Sequence, residues 1–326
     1  MLSRSLSSGR WSISSKFPNN FSFCFAYGSG VKKQLGYDDG NSAKKPMIDL
    51  VFCVNDSFEW HRNNMKINSS HYSAVRMLGS STVAKIQTQF GARVYCNTLI
   101  TLDDGSTIKY GVVTTNDLKS DLIDWTHLYL AGRLHKPIEV LYPPEPDIQN
   151  AIATNFRNAV HVSLCLLPER FTYFDLFYTI ANLSYAGDFR MIFGENKDKV
   201  KNIVAPQLSD FRDLYVPILT GHSRYLNLPT NESGQLVQDK SETTTLYHLQ
   251  HLPKTLQKEI FRRMATEQRS FEHLSKDPNL PQIVQKSVNQ IVWNSSVSQS
   301  LKNIPTAGLS KAIRYSWKKV LKTVGL

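Results

Sequence analysis

Phe25-Ala26-Tyr27-Gly28-Ser29-Gly30-Val31 is an apolar run that ends in a flexible Gly-Ser-Gly turn. A second apolar run, Met47-Ile48-Asp49-Leu50-Val51-Phe52, follows with a single acid inside it. The interval from Ser29 to Asp49 is long enough for a loop or short helix that brings the second run back beside the first. The two runs therefore predict neighbouring strands with a glycine-rich turn at one end.

A Gly-Ser turn beside a strand carboxylate suits phosphate chemistry. The backbone amides and the hydroxyl of such a turn bind a triphosphate, and a carboxylate such as Asp49 places the divalent metal that neutralises it. This pattern favours nucleotidyl transfer. Gly-Ser turns are common, however, and an Asp at a strand start is often only a capping or turn residue. On these two segments alone, a purely structural turn stays an open alternative.

The charge of the chain is concentrated at its two ends. Of the formal net charge of +11, residues 1–37 contribute +5 and residues 278–326 contribute +7, which leaves −1 for the rest. With 41% hydrophobic and 20% charged residues in 326, the composition is typical of a globular protein with two domains of ordinary size. A near-neutral body disfavours a broad basic surface, so we expect no nucleic-acid partner.

The first sixteen residues have the features of an organellar presequence. They are rich in Ser, contain Arg4 and Arg10, lack acids, and set apolar residues among polar ones. We interpret residues 1–16 as a mitochondrial presequence. The alternative is a disordered basic tail.

The last residues carry the clearest amphipathic pattern. Apolar residues fall on one helical stripe and five cations with no acid lie off it. The predicted membrane-binding residues are Leu309, Ile313, Trp317, Lys318, Lys319 and Leu321. No apolar run approaches the roughly 20 residues that span a bilayer, so we expect peripheral contact with an anionic membrane surface. The alternative is a helix that docks on the protein's own core.

Periodicity and turn signals predict an α+β fold in five parts. A mixed sheet with helices occupies the first half, and the proline-rich segment 143–146 marks a boundary before a mainly helical second half with a small wing. We divide the chain into a presequence, 1–16; a nucleotidyltransferase-type domain, 17–146; a helical domain with a small wing, 147–220; a mobile loop and helices, 221–300; and an amphipathic segment, 301–326.

Within these parts the pattern predicts individual elements. We expect two helices within 57–90, strands at 93–100 and 107–113 around a turn at 103–105, a helix at 117–130 and a strand at 138–142. Further helices are expected at 148–167, from Thr172 onward, at 200–215 and at 256–264. Four widely spaced cysteines within apolar runs predict buried, reduced thiols.

Three further segments are candidates for anion binding. Lys109 enters or leaves a strand and could reach a phosphate, although a solvated strand-edge lysine is the commoner case. Arg133 and Lys136 lie in a turn after a predicted helix. Basic residues at such a position also interact favourably with the helix dipole. Asp188 and Arg190 lie in a glycine-containing loop, either as a ligand site or as an ion pair that holds the loop.

The order and spacing of these motifs resemble the mitochondrial phosphatidate cytidylyltransferase family, also called the translocator assembly and maintenance family. The resemblance runs from about residue 21 to residue 215. The motifs that carry it are Tyr27-Gly28-Ser29-Gly30-Val31, Asp49, His71-Tyr72-Ser73, Lys109-Tyr110-Gly111-Val112, Gly132-Arg133-Leu134-His135-Lys136-Pro137 and Ser184-Tyr185-Ala186-Gly187-Asp188-Phe189-Arg190.

The resemblance implies a fold and a reaction. It implies a nucleotidyltransferase domain, a winged-helix-like domain and a membrane-associating C-terminal segment. The implied reaction converts CTP and phosphatidic acid to CDP-diacylglycerol and pyrophosphate, with Mg²⁺ as cofactor. It would take place on the matrix face of the mitochondrial inner membrane and feed cardiolipin synthesis.

The resemblance also implies roles for individual residues. Gly28 and Ser29 would hold the CTP phosphates, and Asp49 would bind Mg²⁺. Lys109, Arg133 and Lys136 would neutralise the triphosphate or the lipid phosphate, and Asp188 with Arg190 would line the nucleotide pocket from the second domain. In this set, Asp49 and Lys109 are the predicted catalytic residues.

One departure from the broader nucleotidyltransferase pattern affects the metal. Many such enzymes present two acids two residues apart on the strand, but here Val51 stands two residues after Asp49. A second ligand would come from Asp56, Asp103 or Asp104, or be absent. A non-catalytic assembly factor for protein import that keeps the fold as a scaffold is the alternative function. A nucleotidyltransferase acting on RNA is disfavoured by the neutral body.

Overall fold

The computed structural model describes residues 16–35, 46–191, 196–229, 234–265 and 269–307. The six predicted membrane-binding residues between Leu309 and Leu321 lie outside these ranges, as do residues 1–15 of the predicted presequence. Phe17 is buried at 4% exposure in the core, so the folded body includes the chain from about this residue.

A five-stranded mixed sheet forms the centre of the first half. Its strands are β1 (Phe23–Tyr27), β2 (Ile48–Val54), β3 (Tyr95–Thr101), β4 (Thr107–Thr114) and β5 (Glu139–Tyr142), in the order β3-β4-β2-β1-β5. Strand β1 is antiparallel to β2 and β5, β3 is antiparallel to β4, and β2 runs parallel to β4. The predicted neighbouring strands on either side of the glycine turn are therefore confirmed.

The two faces of this sheet enter separate cores, because side chains alternate along a strand. Phe25, Val51 and Val113 belong to the larger core, which continues into the second half of the chain. Phe52 and Tyr110 belong to a smaller core on the opposite face, beneath Trp60. Asp49 lies on the same face of the sheet as Val51. This face packs against the second half of the chain.

The helices of the first half largely follow the predictions. They are α1 (Ser57–Ile67), α2 (Gly79–Gln89), α3 (Thr115–Asp124) and the short α4 (Ala131–Leu134). Two 3₁₀ segments, Ser69–His71 and Ala74–Leu78, separate α1 from α2. The single helix predicted for 117–130 is wrong in its length, because Trp125 adopts a left-handed conformation with φ of 54° and ends α3.

The second half is mainly helical, with a small sheet. It contains α5 (Pro146–Leu166), α6 (Tyr173–Asn182), α7 (Lys199–Val204) and α8 (Leu208–Thr220). Strands β6 (Arg170–Phe171), β7 (Leu226–Asn227) and β8 (Leu236–Gln238) form a sheet in the order β6-β8-β7. Pro146 is the first residue of α5. Strands β7 and β8 lie within the segment 221–300 that was predicted as a mobile loop and helices.

The remaining helices are α9 (Glu242–Gln250), α10 (Lys254–Arg263), α11 (Phe271–Leu274) and α12 (Leu280–Ala307). Helix α12 packs on α5 and α10 and then on edge strand β3. It therefore spans both halves of the protein. The capping box at Thr172 and Asp175 begins α6 as its sequence predicts.

The mixed α+β fold class is confirmed. In the part of the chain that the structure describes, no helix is both long enough and apolar enough to cross a bilayer. All four cysteines are buried and free, as predicted from their apolar surroundings.

Candidate active site

The glycine turn brings the chain against the carboxylate of β2. Gly28 has a φ of +83°, which a residue with a side chain rarely adopts, and its Val31 and Lys32 neighbours donate backbone hydrogen bonds to its carbonyl oxygen. A Cβ atom on Gly28 would lie 3.4 Å from Asp49 Oδ2. The absence of a side chain therefore leaves open space beside the carboxylate.

Asp49 and Lys109 face each other on adjacent parallel strands. They are direct partners in the β2–β4 register, and Lys109 Nζ lies 3.6 Å from Asp49 Oδ1. Both side chains are mostly buried, with exposures of 22% for Asp49 and 13% for Lys109. Tyr27 pairs with Asp49 from the other side, in the β1–β2 register. The sheet thus places three polar side chains in one row at one end.

Arg133 extends this row from above the sheet. Its Nε donates to the Tyr27 hydroxyl at 3.1 Å, and its guanidinium lies 3.7 Å from the centre of the Tyr129 ring and 5.5 Å from that of Tyr27. Burial raises the pKa of the Tyr27 phenol to about 12, while the charges of Arg133 and Lys109 oppose that rise. The tyrosine is thus neutral and acts as a hydrogen-bond partner of Arg133.

A buried aspartate shapes the segment that carries Arg133. Asp121, only 3% exposed, accepts backbone hydrogen bonds from His127, Tyr129, Leu130 and Ala131 at 2.8 to 3.1 Å. These bonds bend the chain after α3 and start α4, which is the physical reason that the predicted 117–130 helix stops early. Asp121 therefore holds Tyr129 and the start of α4 in the position that stacks Arg133.

Lys136 joins α4 to the loop after α6. Its Nζ donates to the Gly132 carbonyl oxygen and, at 3.0 Å, to Ser184 Oγ, and it lies 5.1 Å from the centre of the Tyr185 ring. Burial, followed by the charge of Arg133, lowers the pKa of Lys136 to about 7. A Cβ on Gly132 would lie 2.2 Å from Ser184 Cβ, so the two segments touch only because residue 132 is glycine.

The same loop carries the predicted Asp188 and Arg190. Arg190 Nε donates to both carboxylate oxygens of Asp188, at 2.9 and 3.1 Å. Asp188 is 5% exposed at its side chain, whereas Arg190 is 38% exposed. Burial alone would raise the pKa of Asp188, but the hydrogen bond and charge of Arg190 hold it below its ordinary value, with a further contribution from Arg133. The ion pair orders the loop and leaves Arg190 accessible.

Contacts from the second half hold the segment that follows the glycine turn. Lys32 Nζ lies 2.9 Å from Asp210 Oδ2 on α8, and Gln207 Nε2 donates to the Lys33 carbonyl oxygen at 2.8 Å. The turn at Gly28 is therefore fixed on one side by β2 and on the other by α8 and the residues before it.

The structure places the three candidates for a second acid at different positions. Asp56 follows the far end of β2, which runs about 17 Å from Asp49 to Val54, and caps α1 by accepting from Glu59 N. Asp103 and Asp104 lie in the β3–β4 turn, where Asp103 pairs with Lys16 and Asp104 accepts from Ser106 Oγ at 2.6 Å. Asp56 is thus too distant to join Asp49.

Histidine 71, which belongs to one of the motifs of the resemblance, lies on the other face of the sheet. Its Nδ1 is 3.2 Å from the Tyr110 hydroxyl, within the smaller core. Tyr72 beside it is buried and bonded to His61 Nδ1 at 2.8 Å. This motif supports the packing of α1 against the sheet and not the row at Asp49.

Sequence reasoning missed Tyr27, Tyr129 and Asp121 as parts of the site. Tyr27 stands directly before the glycine turn, which was an available signal, although the apolar run accounts for an aromatic residue there equally well. Tyr129 and Asp121 gave no signal, because their role arises from a bend that the helical pattern conceals.

The arrangement assembles an anion-binding site around one carboxylate. Four predicted cations, Lys109, Arg133, Lys136 and Arg190, approach the same end of the sheet as two acids, Asp49 and Asp188. An excess of positive charge beside a glycine turn and a strand carboxylate serves nucleotide transfer, because the transition state spreads negative charge over phosphate oxygens. By fold and site, the chain falls in the class of nucleotidyltransferase-type enzymes.

Comparisons with known proteins specify the class. A family model described as "Phosphatidate cytidylyltransferase, mitochondrial" matches residues 11–322. The curated protein of that name from Drosophila melanogaster is 50% identical over 329 residues, covering 94% of this chain and 96% of the relative. Those from Danio rerio and Caenorhabditis elegans are 43% and 36% identical, covering 95% and 92% of this chain and 93% of each relative. The chain belongs to the mitochondrial phosphatidate cytidylyltransferase family.

Proposed function

We propose that this protein is a phosphatidate cytidylyltransferase that converts CTP and phosphatidic acid to CDP-diacylglycerol and pyrophosphate. A phosphate oxygen of phosphatidic acid forms a bond to the α-phosphorus of CTP. The bond between that phosphorus and the oxygen bridging to the β-phosphorus breaks, and pyrophosphate leaves with the electron pair. The family and its curated relatives carry this activity in their names.

The observation that carries the proposal is the row Tyr27, Asp49 and Lys109 beside the open Gly28 turn. The turn offers backbone amides without a side chain in front of the carboxylate. Since the attacking phosphate is already anionic, it needs little help from a general base. Positioning of the two substrates and neutralisation of their charge supply the catalysis.

The cations divide between the two substrates by their position. Lys109, next to Asp49, and Arg133, next to Tyr27, are nearest the turn and are assigned to the triphosphate. Arg190, which is 38% exposed at its side chain, is assigned to the phosphate of the lipid. Lys136 is hydrogen-bonded to Gly132 and Ser184. Its charge therefore attracts the substrate phosphates from a distance, without direct contact.

Mg²⁺ fits the site through Asp49. Within the described ranges, no group of three or more His, Cys, Asp and Glu side chains could hold a metal ion. Mg²⁺ at nucleotide sites is commonly bound by one or two carboxylates together with substrate phosphates and waters. The open side of Asp49 at Gly28 suits such a shared ion. When bound, the ion neutralises charge on the triphosphate and on the departing pyrophosphate.

The mitochondrial setting is supported by the names of the family and of the curated relatives. We place the protein in mitochondria, on the matrix side of the inner membrane, where its product feeds cardiolipin synthesis. Peripheral contact through the basic residues after 308 gives access to phosphatidic acid in an anionic membrane.

The direct test is an assay of the purified protein with labelled CTP, phosphatidic acid and Mg²⁺. Wild type should form labelled CDP-diacylglycerol and pyrophosphate in equal amounts. Asp49→Asn should lower the rate by at least about 10²-fold. The matched control is Asp213→Asn, which changes an exposed carboxylate on α8 and should leave the rate unchanged.

Two outcomes would contradict the proposal. Equal rates for wild type and Asp49→Asn would show that Asp49 has no part in catalysis. No product from a folded wild-type protein would favour the non-catalytic scaffold for protein import instead.

A further inference from the structure

Two segments of the chain that are distant in sequence share an unusual charge pattern. Residues 60–102 contain five Lys and Arg residues and no Asp or Glu, and residues 278–326 contain seven and no Asp or Glu. The first segment includes most of α1 with α2 and β3, and the second includes α12. Helix α12 packs on β3, so folding places the two acid-free segments side by side.

Specific bonds fix the contact. Lys302 Nζ donates to the Phe90 carbonyl oxygen at 2.8 Å, and Ser73 Oγ donates to the Pro305 carbonyl oxygen at 2.9 Å. Gln299 accepts from Ala92 N at 2.9 Å. The end of α12 is therefore held against the loop that follows α2 and the 3₁₀ segment that precedes it.

Around this contact, large apolar side chains face solvent. On α12 they are Trp293, Leu301 and Ile304, with exposures of 41%, 63% and 44%. These positions fall on one side of the helix, opposite Lys302 and Gln299, which face the sheet. The adjoining segments add Met77, Leu78 and Phe90, with exposures of 84%, 65% and 57%. We call these six residues the apolar rim.

The apolar rim extends from the candidate active site to the start of the basic tail. At one end, the Trp293 ring lies 6.5 Å from that of Phe189, which stands between Asp188 and Arg190 in the chain. At the other end, Ile304 lies three residues before the described part of α12 stops at Ala307. The nineteen residues that follow carry five cations and no acid.

We propose that the apolar rim of the folded body is a membrane-docking surface, which enters the headgroup region of an anionic bilayer beside the basic C-terminal segment. Exposed apolar side chains on two segments that carry cations and no acids match an anionic lipid surface in both hydrophobicity and charge. The rim sets the orientation of the body, because a tail alone would tether it without fixing which side faces the lipid. With Trp293 at the membrane, Arg190 faces the phosphate of a lipid substrate. This orientation rests on the proposed function.

The test uses the full chain and a fluorescent probe. Because all four native cysteines are buried, a cysteine placed at Leu301→Cys can be labelled selectively with a polarity-sensitive fluorophore. Vesicles of phosphatidylcholine and cardiolipin should shift its emission to the blue, and vesicles of phosphatidylcholine alone should shift it much less. Ile123→Cys is the control, since Ile123 is also an exposed apolar residue, at 42%, but lies on α3, and its label should not respond.

Three results would overturn the docking surface. The Leu301→Cys label could stay unchanged while the protein still sediments with the vesicles, which would leave binding to the tail alone. A label that is already blue-shifted without vesicles would show that the tail covers the rim. A shift that depends on protein concentration without vesicles would show that a second copy covers it.

Activity separates this inference from the proposed function. The double variant Leu301→Ser and Ile304→Ser should raise the KM for phosphatidic acid in vesicles about tenfold. Turnover of a short-chain phosphatidic acid in free solution should stay unchanged, and Ile123→Ser should behave as wild type on both substrates. Equal kinetics of the double variant and wild type on vesicles would refute the docking surface. Absence of product from wild type on either substrate would instead refute the proposed function, while the fluorescence result would still decide the surface.

Discussion

Asp49 Oδ1 lies 3.6 Å from Lys109 Nζ, and the two residues are direct partners across adjacent parallel strands. The pair lies 60 residues apart in the chain, and only the parallel pairing of β2 with β4 brings it together. It holds a carboxylate and an amine at a fixed separation at the end of a rigid sheet. Such a site is preorganised for phosphate charge, because little must move when the substrate binds.

The pair predicts a strongly non-additive double mutant. Asp49→Asn and Lys109→Met should each lower kcat/KM for CTP by about 10²-fold or more, and the double variant should be little worse than either. Steady-state kinetics with urea unfolding of each variant measures both activity and stability. Since both groups are mostly buried but not fully, each change should alter the free energy of unfolding by about 1 kcal/mol. Independent, multiplying effects on kcat/KM would argue that the two residues act at separate steps.

Gly28→Ala tests the open side of the carboxylate. The φ of +83° makes any side chain costly, by about 1–2 kcal/mol, and the new methyl group would stand 3.4 Å from Asp49 Oδ2. Activity should fall by more than the loss of stability explains. Gly105→Ala is the matched control, because Gly105 has a similar φ of +76° and a methyl group there would meet no atom within 4 Å. If both variants lost activity equally, backbone strain and not the Asp49 side would be responsible.

Gly132→Ala should separate α4 from the loop after α6. Its Cβ would lie 2.2 Å from Ser184 Cβ, so the segments must move apart. We expect a loss of about 1–3 kcal/mol in the free energy of unfolding, together with a fall in activity as Arg133 and Lys136 shift. The second change Ser184→Gly removes the opposing atoms and should restore part of both. Chemical denaturation without any such rescue would show that the clash is relieved elsewhere.

Lys136 should couple nucleotide binding to proton uptake. Its pKa of about 7 leaves part of the free protein without this charge at neutral pH, and a bound polyanion favours the protonated amine. The affinity for CTP should therefore decrease as the pH rises above about 7. Titration calorimetry at pH 7.5 in two buffers of different ionisation enthalpy measures the protons taken up. Lys136→Met should take up fewer protons than wild type, whereas equal uptake would assign the linkage to the nucleotide alone.

Four buried histidines predict sensitivity to acid. Burial lowers the pKa of His61 to about 4, His135 to about 3, His161 to about 2 and His248 to about 4. Their unfolded pKa is about 6.5, so the unfolded chain binds more protons below that pH and stability falls as the pH decreases toward these folded values. Each histidine contributes up to about 1.4 kcal/mol per pH unit.

Denaturation at a series of pH values between 7 and 5 measures this slope. His161→Gln should reduce it, because burial and the neighbouring His248, His222 and His251 lower the pKa of His161. The control is His273→Gln, which changes an exposed histidine on α11. An unchanged slope in His161→Gln would contradict the assignment.

Local sequence was sufficient for most elements of the first half. The strands on either side of the glycine turn, the β3–β4 hairpin and the two helices between them depend on alternation, turn residues and helical periodicity, which act over a few residues. The predicted end of the 117–130 helix is wrong, because Asp121 accepts four backbone hydrogen bonds from the residues beyond Trp125. A side chain that ends a helix from inside it leaves no mark in the hydrophobic pattern.

The sequence predicts which residues form the site but not how they are arranged. Asp49, Lys109, Arg133, Lys136, Asp188 and Arg190 were all named from motifs, and the structure gathers them at one end of the sheet. Their connections were not predictable, because Tyr27 and Tyr129 stack Arg133 across distances that only the packing of α4 on the sheet sets. Asp56 was an acceptable second acid in sequence, but it lies beyond the far end of β2 and is too distant from Asp49 to share a metal ion.

Most strands, turns and helices, the positions of the charges and the basic character of both ends could be predicted from neighbouring residues, since these are local properties. Tertiary structure alone decided that Asp49 meets Lys109, that Gly132 meets Ser184, and that two acid-free segments share one surface. These are contacts between residues far apart in the chain, and their distances depend on strand pairing and core packing, which no local pattern encodes.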